Sequence, residues 1–131
     1  MIGLDTNVVV RYIMQDDRKQ SPKATRLIES LTSDAPGFVP LVAVVELVWV
    51  LESSYRLDRD QVAEALDLLL RSKEIVIDRA DLVLQAQRRY AAGGADFADG
   101  LIERIAHAQG CTATMTFDTG AARSAGMTLM G

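Results

Sequence analysis

The sequence predicts an α/β domain with a mainly parallel sheet covered by helices on both faces. Two observations carry this. Short β-branched or apolar runs alternate with longer segments of helical periodicity, and those segments open or close on capping and breaking residues. No linker, repeat or low-complexity tract interrupts the 131 residues, so a single domain over residues 1–131 is expected.

Ile2 to Leu4 reads as a short buried strand that opens directly into a helix from Thr6 to Met14. Gln15 to Arg18 is a polar loop. Ser21-Pro22 predicts a helix start, with Ser capping and Pro at the first helical position, and Ala24, Leu27, Ile28 and Leu31 carry that helix to about Thr32. Asp34 to Gly37 breaks it, and Phe38-Val39 is a strand. Leu41 to Ser54 is almost continuously apolar, and its length and Glu46 favour a buried helix over a strand. Asp58 or Arg59 starts an amphipathic helix through Leu70, with Val62, Leu66, Leu69 and Leu70 inward. Ile75 to Ile77 is a strand. Asp81 to Ala92 is a helix ended by Gly93-Gly94, and Asp96 to Gln109 a helix closed by Gly110. Ala113 to Phe117 is a strand, Thr119 to Ala125 a short helix, and Thr128-Leu129 a last edge strand.

Composition narrows the function classes. One cysteine, Cys111, rules out an internal disulfide framework and fits a reducing, cytoplasmic setting. Met1 leads into an apolar run with no basic residues before it, so no secretory leader is expected. The longest apolar stretch, Leu41 to Leu51, is too short to span a bilayer and carries a charge, so no membrane role is expected. A net charge of −4 argues against holding nucleic acid by bulk electrostatics, though not against meeting phosphates through a bound cation. Basic clusters exist at Arg11, Arg18-Lys19, Lys23, Arg26 and Arg88-Arg89, where a solvated helix face is the ordinary role.

Four carboxylates stand where an apolar or neutral residue is usual. Asp5 ends the first strand, Glu46 is the only charge between Phe38 and Leu51, Asp99 lies in Asp96-Phe97-Ala98-Asp99-Gly100-Leu101-Ile102, and Asp118 follows the run Thr112 to Phe117. None has a Lys or Arg beside it. Carboxylates gathered without cations raise one another's pKa unless a bound cation offsets them. Asp5 and Asp118 fall at the carboxyl ends of strands, where open α/β sheets bind ligands, yet Asp at such junctions also caps helices. Glu46 has Val42, Ala43, Trp49 and Val50 at helical spacing, which predicts a buried carboxylate in need of a partner. Asp96 and Asp99 have the spacing of a cap and its third-position partner. Asp96, Asp99, Glu103 and His107 also form one helical stripe, opposite a mostly apolar stripe of Ala98, Ile102, Ile105, Ala106 and Gln109 that suits the core.

His107 is the single histidine, so ribonuclease chemistry by two histidines is out of reach. An all-oxygen set suits Mg²⁺ or Mn²⁺, and there is no Cys/His spacing for zinc. Neither a Walker-type phosphate loop nor a Ser-His-Asp triad has support in the sequence.

These segments together resemble the PIN-domain nucleases. Ile2-Gly3-Leu4-Asp5-Thr6-Asn7 resembles their opening Asp-Thr-Asn motif, and Val44-Val45-Glu46-Leu47 followed by Val50-Leu51 their glutamate helix. Asp96 to Ile102 and Thr116-Phe117-Asp118 resemble the third and fourth motifs, in order and at similar spacing. The size of the chain is most similar to that of VapC-type toxins of toxin–antitoxin pairs. The resemblance implies a three-layer fold whose central, mainly parallel sheet has about five strands flanked by helices. It implies a Mg²⁺- or Mn²⁺-dependent endoribonuclease acting on RNA, a homodimer, and neutralisation by a small VapB-type antitoxin. Carried over by position, Asp5, Glu46, Asp99 and Asp118 are the catalytic, metal-binding quartet. Thr6 and Asn7 support the first aspartate, Thr116 stands beside the last, and Asp96 matches an additional acidic position. Gly100 stands where many relatives carry Ala. Arg11, on the first helix beyond Asp5, is the candidate RNA contact.

Two other readings compete. A haloacid-dehalogenase-like phosphatase also places its first motif after the first strand, but needs a second Asp two residues after its nucleophile, where this chain has Asn7. A regulatory binding module would keep the acidic fold and act through protein contact alone.

Overall fold

The computed structural model describes Met1–Gly131, and the chain divides into two compact units, Met1–Ala80 and Asp81–Gly131. In the first unit, strand β1 (Ile2–Gly3) pairs in parallel with β2 (Gly37–Val39), which pairs in parallel with β3 (Ile75–Ile77), in the order β1-β2-β3. Parallel neighbours need crossovers. The crossover from β1 to β2 is made by α1 (Thr6–Met14) and α2 (Gln20–Glu29), and that from β2 to β3 by α3 (Leu41–Ser53) and α4 (Arg59–Arg71). Helix α1 packs on α2 and α3, and α4 on β3. Leu4, Val9, Val10, Val39, Val44 and Leu47 are buried, as are Leu51, Val62 and Leu66.

The second unit holds α5 (Ala80–Ala91, whose first residue belongs to the unit before), α6 (Phe97–Ala108), β4 (Met115–Thr116), α7 (Thr119–Ser124) and β5 (Thr128–Leu129). Strands β4 and β5 pair in parallel as a sheet of two. The fold is therefore α/β with parallel pairing throughout, and its five strands pair as three and two. The rings of Tyr90 and Phe97 meet edge to face, 6.2 Å between centroids, among buried Val83, Ala86 and Leu101. Gly93 and Gly110 sit at φ 85° and 90°, the left-handed geometry that stops a helix and that L side chains resist. No helix is long and apolar enough to cross a membrane.

Several local expectations are corrected. Strand β1 is exposed rather than buried, because it is an edge paired only to β2; Ile2 is 50% exposed and burial begins at Leu4. Helix α2 starts at Gln20, with Pro22 third and Ser21 inside. Asp17 takes the capping role, its Oδ1 accepting from the backbone N–H of Lys19 and Gln20 at 2.9 and 2.7 Å. These bonds hold its carboxyl below the usual range. The same helix ends at Glu29, where the Ser30 hydroxyl donates to Leu27 O and the chain tightens. Strand β4 keeps only two residues, because Asp118 N–H turns back to Thr116 Oγ1.

The face of α6 is also reassigned. Phe97, Gly100, Leu101 and Glu103 are buried, while Ile102 is 53% exposed. The core stripe runs through Phe97, Gly100 and Leu101 at three- and four-residue spacing. Glu103 follows it inward because two arginines satisfy its charge.

Candidate functional site

In the first unit, β1 delivers Asp5 to the start of α1, where it is the N-cap and its Oδ1 accepts from Thr6 N–H at 2.9 Å. Thr6 is buried and turns its hydroxyl across to α3, donating to Glu46 Oε1 at 3.1 Å. One threonine thus ties the first aspartate's helix to the glutamate. The expected burial of Glu46 is corrected: it is exposed, on a face of α3 shared with exposed Val42 and Trp49. The core face of that helix is Ala43, Val44, Leu47, Val48 and Leu51, one step round the helix. Glu46 therefore escapes the burial that its sequence neighbours predict.

Asn7 is exposed and lines a cavity of about 280 Å³ with Val8, Arg11, Gln20, Lys23 and Leu27. A larger cavity of about 630 Å³, bordered by Tyr12, Ile28, Leu31, Leu68, Leu69 and Ile75, holds none of the candidate carboxylates. Arg11 is engaged within the chain. Its Nε donates to Gln20 Oε1 at 2.7 Å and its Nη1 to the Tyr55 hydroxyl at 3.2 Å, with Asp16 Oδ1 3.6 Å away. The Tyr55 phenol is pushed up, by burial first and then by its bond to Asp16.

In the second unit, Asp96 caps α6 through Oδ2, which accepts from Asp99 N–H at 3.3 Å. Asp118 caps α7 through Oδ1, which accepts from Gly120 N–H at 2.7 Å and Ala121 N–H at 3.2 Å. The Thr116 hydroxyl accepts from Asp118 N–H at 3.0 Å and fixes where that aspartate leaves the strand. Asp99, on the first turn of α6, is half-buried and its carboxylate takes no hydrogen bond. Desolvation, then the negative charges of Asp96 and Asp118, push its carboxyl above the ordinary aspartate value. Asp96, Asp99 and Asp118 thus form one electrostatically coupled group.

Within each unit the candidate donors are carboxylate oxygens, the ligand type that hard divalent cations take. No Lys or Arg forms an ion pair with Asp5, Glu46, Asp96, Asp99 or Asp118. Each capping aspartate spends one oxygen on the backbone and keeps the other open, as Glu46 does beside Thr6. No three acidic, histidine or cysteine side chains are grouped so that they could hold a metal ion by themselves.

Three features escaped the sequence reading. Asp78, just past β3, caps α3 from a distance, its Oδ2 accepting from Leu41 N–H at 3.1 Å. Its place after Ile75-Val76-Ile77 was the available signal. Tyr55 and Gln20 anchor Arg11 with no periodic cue. Glu103 gathers Arg89 and Arg104: Arg104 Nε and Nη2 donate to it at 2.7 and 3.0 Å, and Arg89 Nη1 at 3.2 Å.

Neither characterised proteins nor solved structures yield a match to this chain. The PIN domain family profile, by contrast, matches residues 2–127, nearly the whole length and all four acidic segments. Members of that family are typically divalent-metal-dependent nucleases. With its α/β fold, parallel strands and acid-bearing strand ends, this chain belongs to the PIN-domain family.

Proposed function

We propose that this chain is a Mg²⁺- or Mn²⁺-dependent endoribonuclease, the VapC-type toxin of a toxin–antitoxin pair. It acts in the cytoplasm as a homodimer of single-domain chains and is neutralised by a VapB-type antitoxin. One observation carries the catalytic part: burial first, then the charges of Asp96 and Asp118, drive Asp99 toward its protonated form, with no arginine or lysine paired to any of the three. A cation is the partner that such a group lacks.

Asp5, Glu46, Asp99 and Asp118 would hold the ion, with Asp96 beside them. A bound divalent cation supplies Lewis-acid polarisation of the scissile phosphate and a water of lowered pKa. The remaining work falls to the chain. Thr6 fixes the orientation of Glu46, and Thr116 fixes the exit of Asp118 from β4. Asn7 would stand by the first aspartate from the opening turn of α1, and Arg11, on the same helix, would be the RNA contact although Gln20, Tyr55 and Asp16 hold it within the chain. In-line attack of water on phosphorus, with departure of the 3′-oxygen, leaves 5′-phosphate and 3′-hydroxyl ends.

The test is cleavage of total cellular RNA by the purified chain in Mg²⁺, Mn²⁺ and EDTA, beside Asp5→Asn. Discrete, metal-dependent cuts lost in the variant are expected. Cyclic phosphate ends would overturn the mechanism, since they require attack by the 2′-hydroxyl. Absence of cutting in either metal would favour a binding module.

A further inference from the structure

Charge is spread unevenly along the chain. Residues 6–29, which form α1, α2 and the loop between them, hold five Lys or Arg against three Asp or Glu, in a chain whose net charge is −4. Helices α1 and α2 pack on each other, and the cavity of about 280 Å³ lies between them. Buried Ala24 forms its floor with half-buried Val8 and Leu27, so the interior is apolar. The polar part of the lining, Asn7, Arg11, Gln20 and Lys23, includes no acid. Of the three acids in the segment, Asp16 offsets Arg11 in part, 3.6 Å from Nη1. Asp17 is spent on the backbone N–H groups of Lys19 and Gln20, and Glu29 borders the other cavity. Lys23 is exposed and forms no ion pair. Arg11 uses Nε and Nη1 within the chain, which leaves Nη2 to donate, and Gln20 accepts through Oε1, which leaves its amide N–H groups to donate.

We propose that this cavity is a subsite for one unpaired nucleotide of the RNA strand, beside the scissile phosphate. The inference rests on the ribonuclease reading above and adds to it a specificity pocket and a second cationic contact, Lys23. A nucleotide matches the lining part by part. Its flat base would lie on Val8, Ala24 and Leu27, with the amides of Asn7 and Gln20 at the polar edge of that base. Its phosphate would take Lys23 and Arg11 Nη2. The volume falls just below the range of about 300–1,000 Å³ usual for small-molecule sites, so it suits one such group and not a length of duplex. Position ties the cavity to the candidate site: Asn7 follows Thr6, whose hydroxyl holds Glu46, and Asp5 caps the same helix. An acidic peptide is the other anion to consider, and the two cations would serve it equally well. The pair of amides over an apolar floor, one residue from the Thr6–Glu46 bond, favours a base.

The test begins with binding. Anisotropy of a labelled single-stranded RNA oligonucleotide is followed in Mg²⁺ at several salt concentrations, on the chain carrying Asp5→Asn so that no cleavage intervenes. Adding Lys23→Gln should weaken binding severalfold and lower the slope of log Kd against log salt by about 0.7, the effect of one phosphate contact, and Lys23→Arg should restore both. In the chain with Asp5 intact, ends cut from a randomised RNA pool should show a base preference at one position beside the cut. Leu27→Phe, which narrows the slot, should move that preference toward the smaller pyrimidines and leave cleavage in place. Either an unchanged slope in Lys23→Gln or an unchanged preference in Leu27→Phe, with metal-dependent cleavage intact, would overturn the subsite and leave the nuclease reading standing. A peptide of alternating Asp and Leu whose binding is lost in Lys23→Gln, while RNA is bound as before, would assign the cavity to an acidic protein segment and overturn the proposal. An oligonucleotide neither bound nor cut would overturn both readings.

Discussion

The Thr6 hydroxyl donates to Glu46 Oε1 at 3.1 Å, so the residue after Asp5 sets the rotamer of a glutamate forty positions away. Hydrogen bonds to a charged acceptor contribute roughly 1.5–3 kcal/mol. Thr6→Val keeps the shape of a buried side chain and removes the donor. Its cleavage rate should fall by about tenfold or more, while Thr6→Ser should stay within about threefold of wild type. Single-turnover kinetics on one RNA substrate checks this. Equal rates for Val and Ser would remove Thr6 from the site.

Asp99 ties metal to stability. Its folded carboxyl lies above the ordinary aspartate value, because of burial and then Asp96 and Asp118. Its contribution is therefore fully present below the unfolded pKa and lost as pH rises through the folded one. At neutral pH without metal it is a liability. Asp99→Asn should match or exceed the wild-type Tm in EDTA, yet lose most of the rise that Mn²⁺ gives the wild type. An ion at about 100 times its Kd stabilises by about 2.7 kcal/mol, enough to read by calorimetry.

Glu103 behaves in the opposite sense. Its carboxyl is held below the usual range, chiefly by the bond from Arg104 and further by Arg89. Its stabilisation is present above the unfolded pKa and lost as pH falls through the folded one. Glu103→Gln should lose about 1–2 kcal/mol at pH 7, less than the 3–5 kcal/mol typical when a fully buried pair is broken. The gap to wild type should close in acid. Urea melts at several pH values test the trend, and a gap that widens as pH falls would contradict it.

Two glycines separate space from habit. A Cβ at Gly100 would meet nothing nearer than 3.9 Å, at Ala86 and Ala95, so Gly100→Ala should stabilise α6 by about 0.5–1 kcal/mol. A Cβ at Gly37 would lie 2.7 Å from Leu4 Cδ1 and 2.9 Å from Leu31 Cδ1, both in the core. Gly37→Ala should cost about 1–3 kcal/mol through overpacking, with Tm as the readout.

Element order was legible because α4, α5 and α6 carry their own start or stop chemistry. Asp58 and Gln61 form a reciprocal cap, and Gly93 and Gly110 terminate what precedes them. The faces were less legible. On α3 nearly every residue is apolar, so periodicity could not say which side met the core, and Glu46 was placed inside. On α6 the charge of Glu103 hid its inward position, since Arg89 is fourteen residues away and invisible to a helical pattern. The four acidic segments were legible by type and order, whereas the Thr6–Glu46 bond is tertiary and left no local trace.

Asp5, Asp96 and Asp118 each begin a helix as well as carrying an open oxygen, and Glu46 begins nothing. Asparagine caps a helix about as well as aspartate. A copy of this chain released from selection for cleavage could drift to Asn at those three positions and still fold as well as before. Asp99 caps nothing, and burial with its acidic neighbours works against its charge, so folding places no claim on the acid there. Aspartate retained at position 99, rather than at the three capping positions, is the mark by which a working descendant would be told from a silent one.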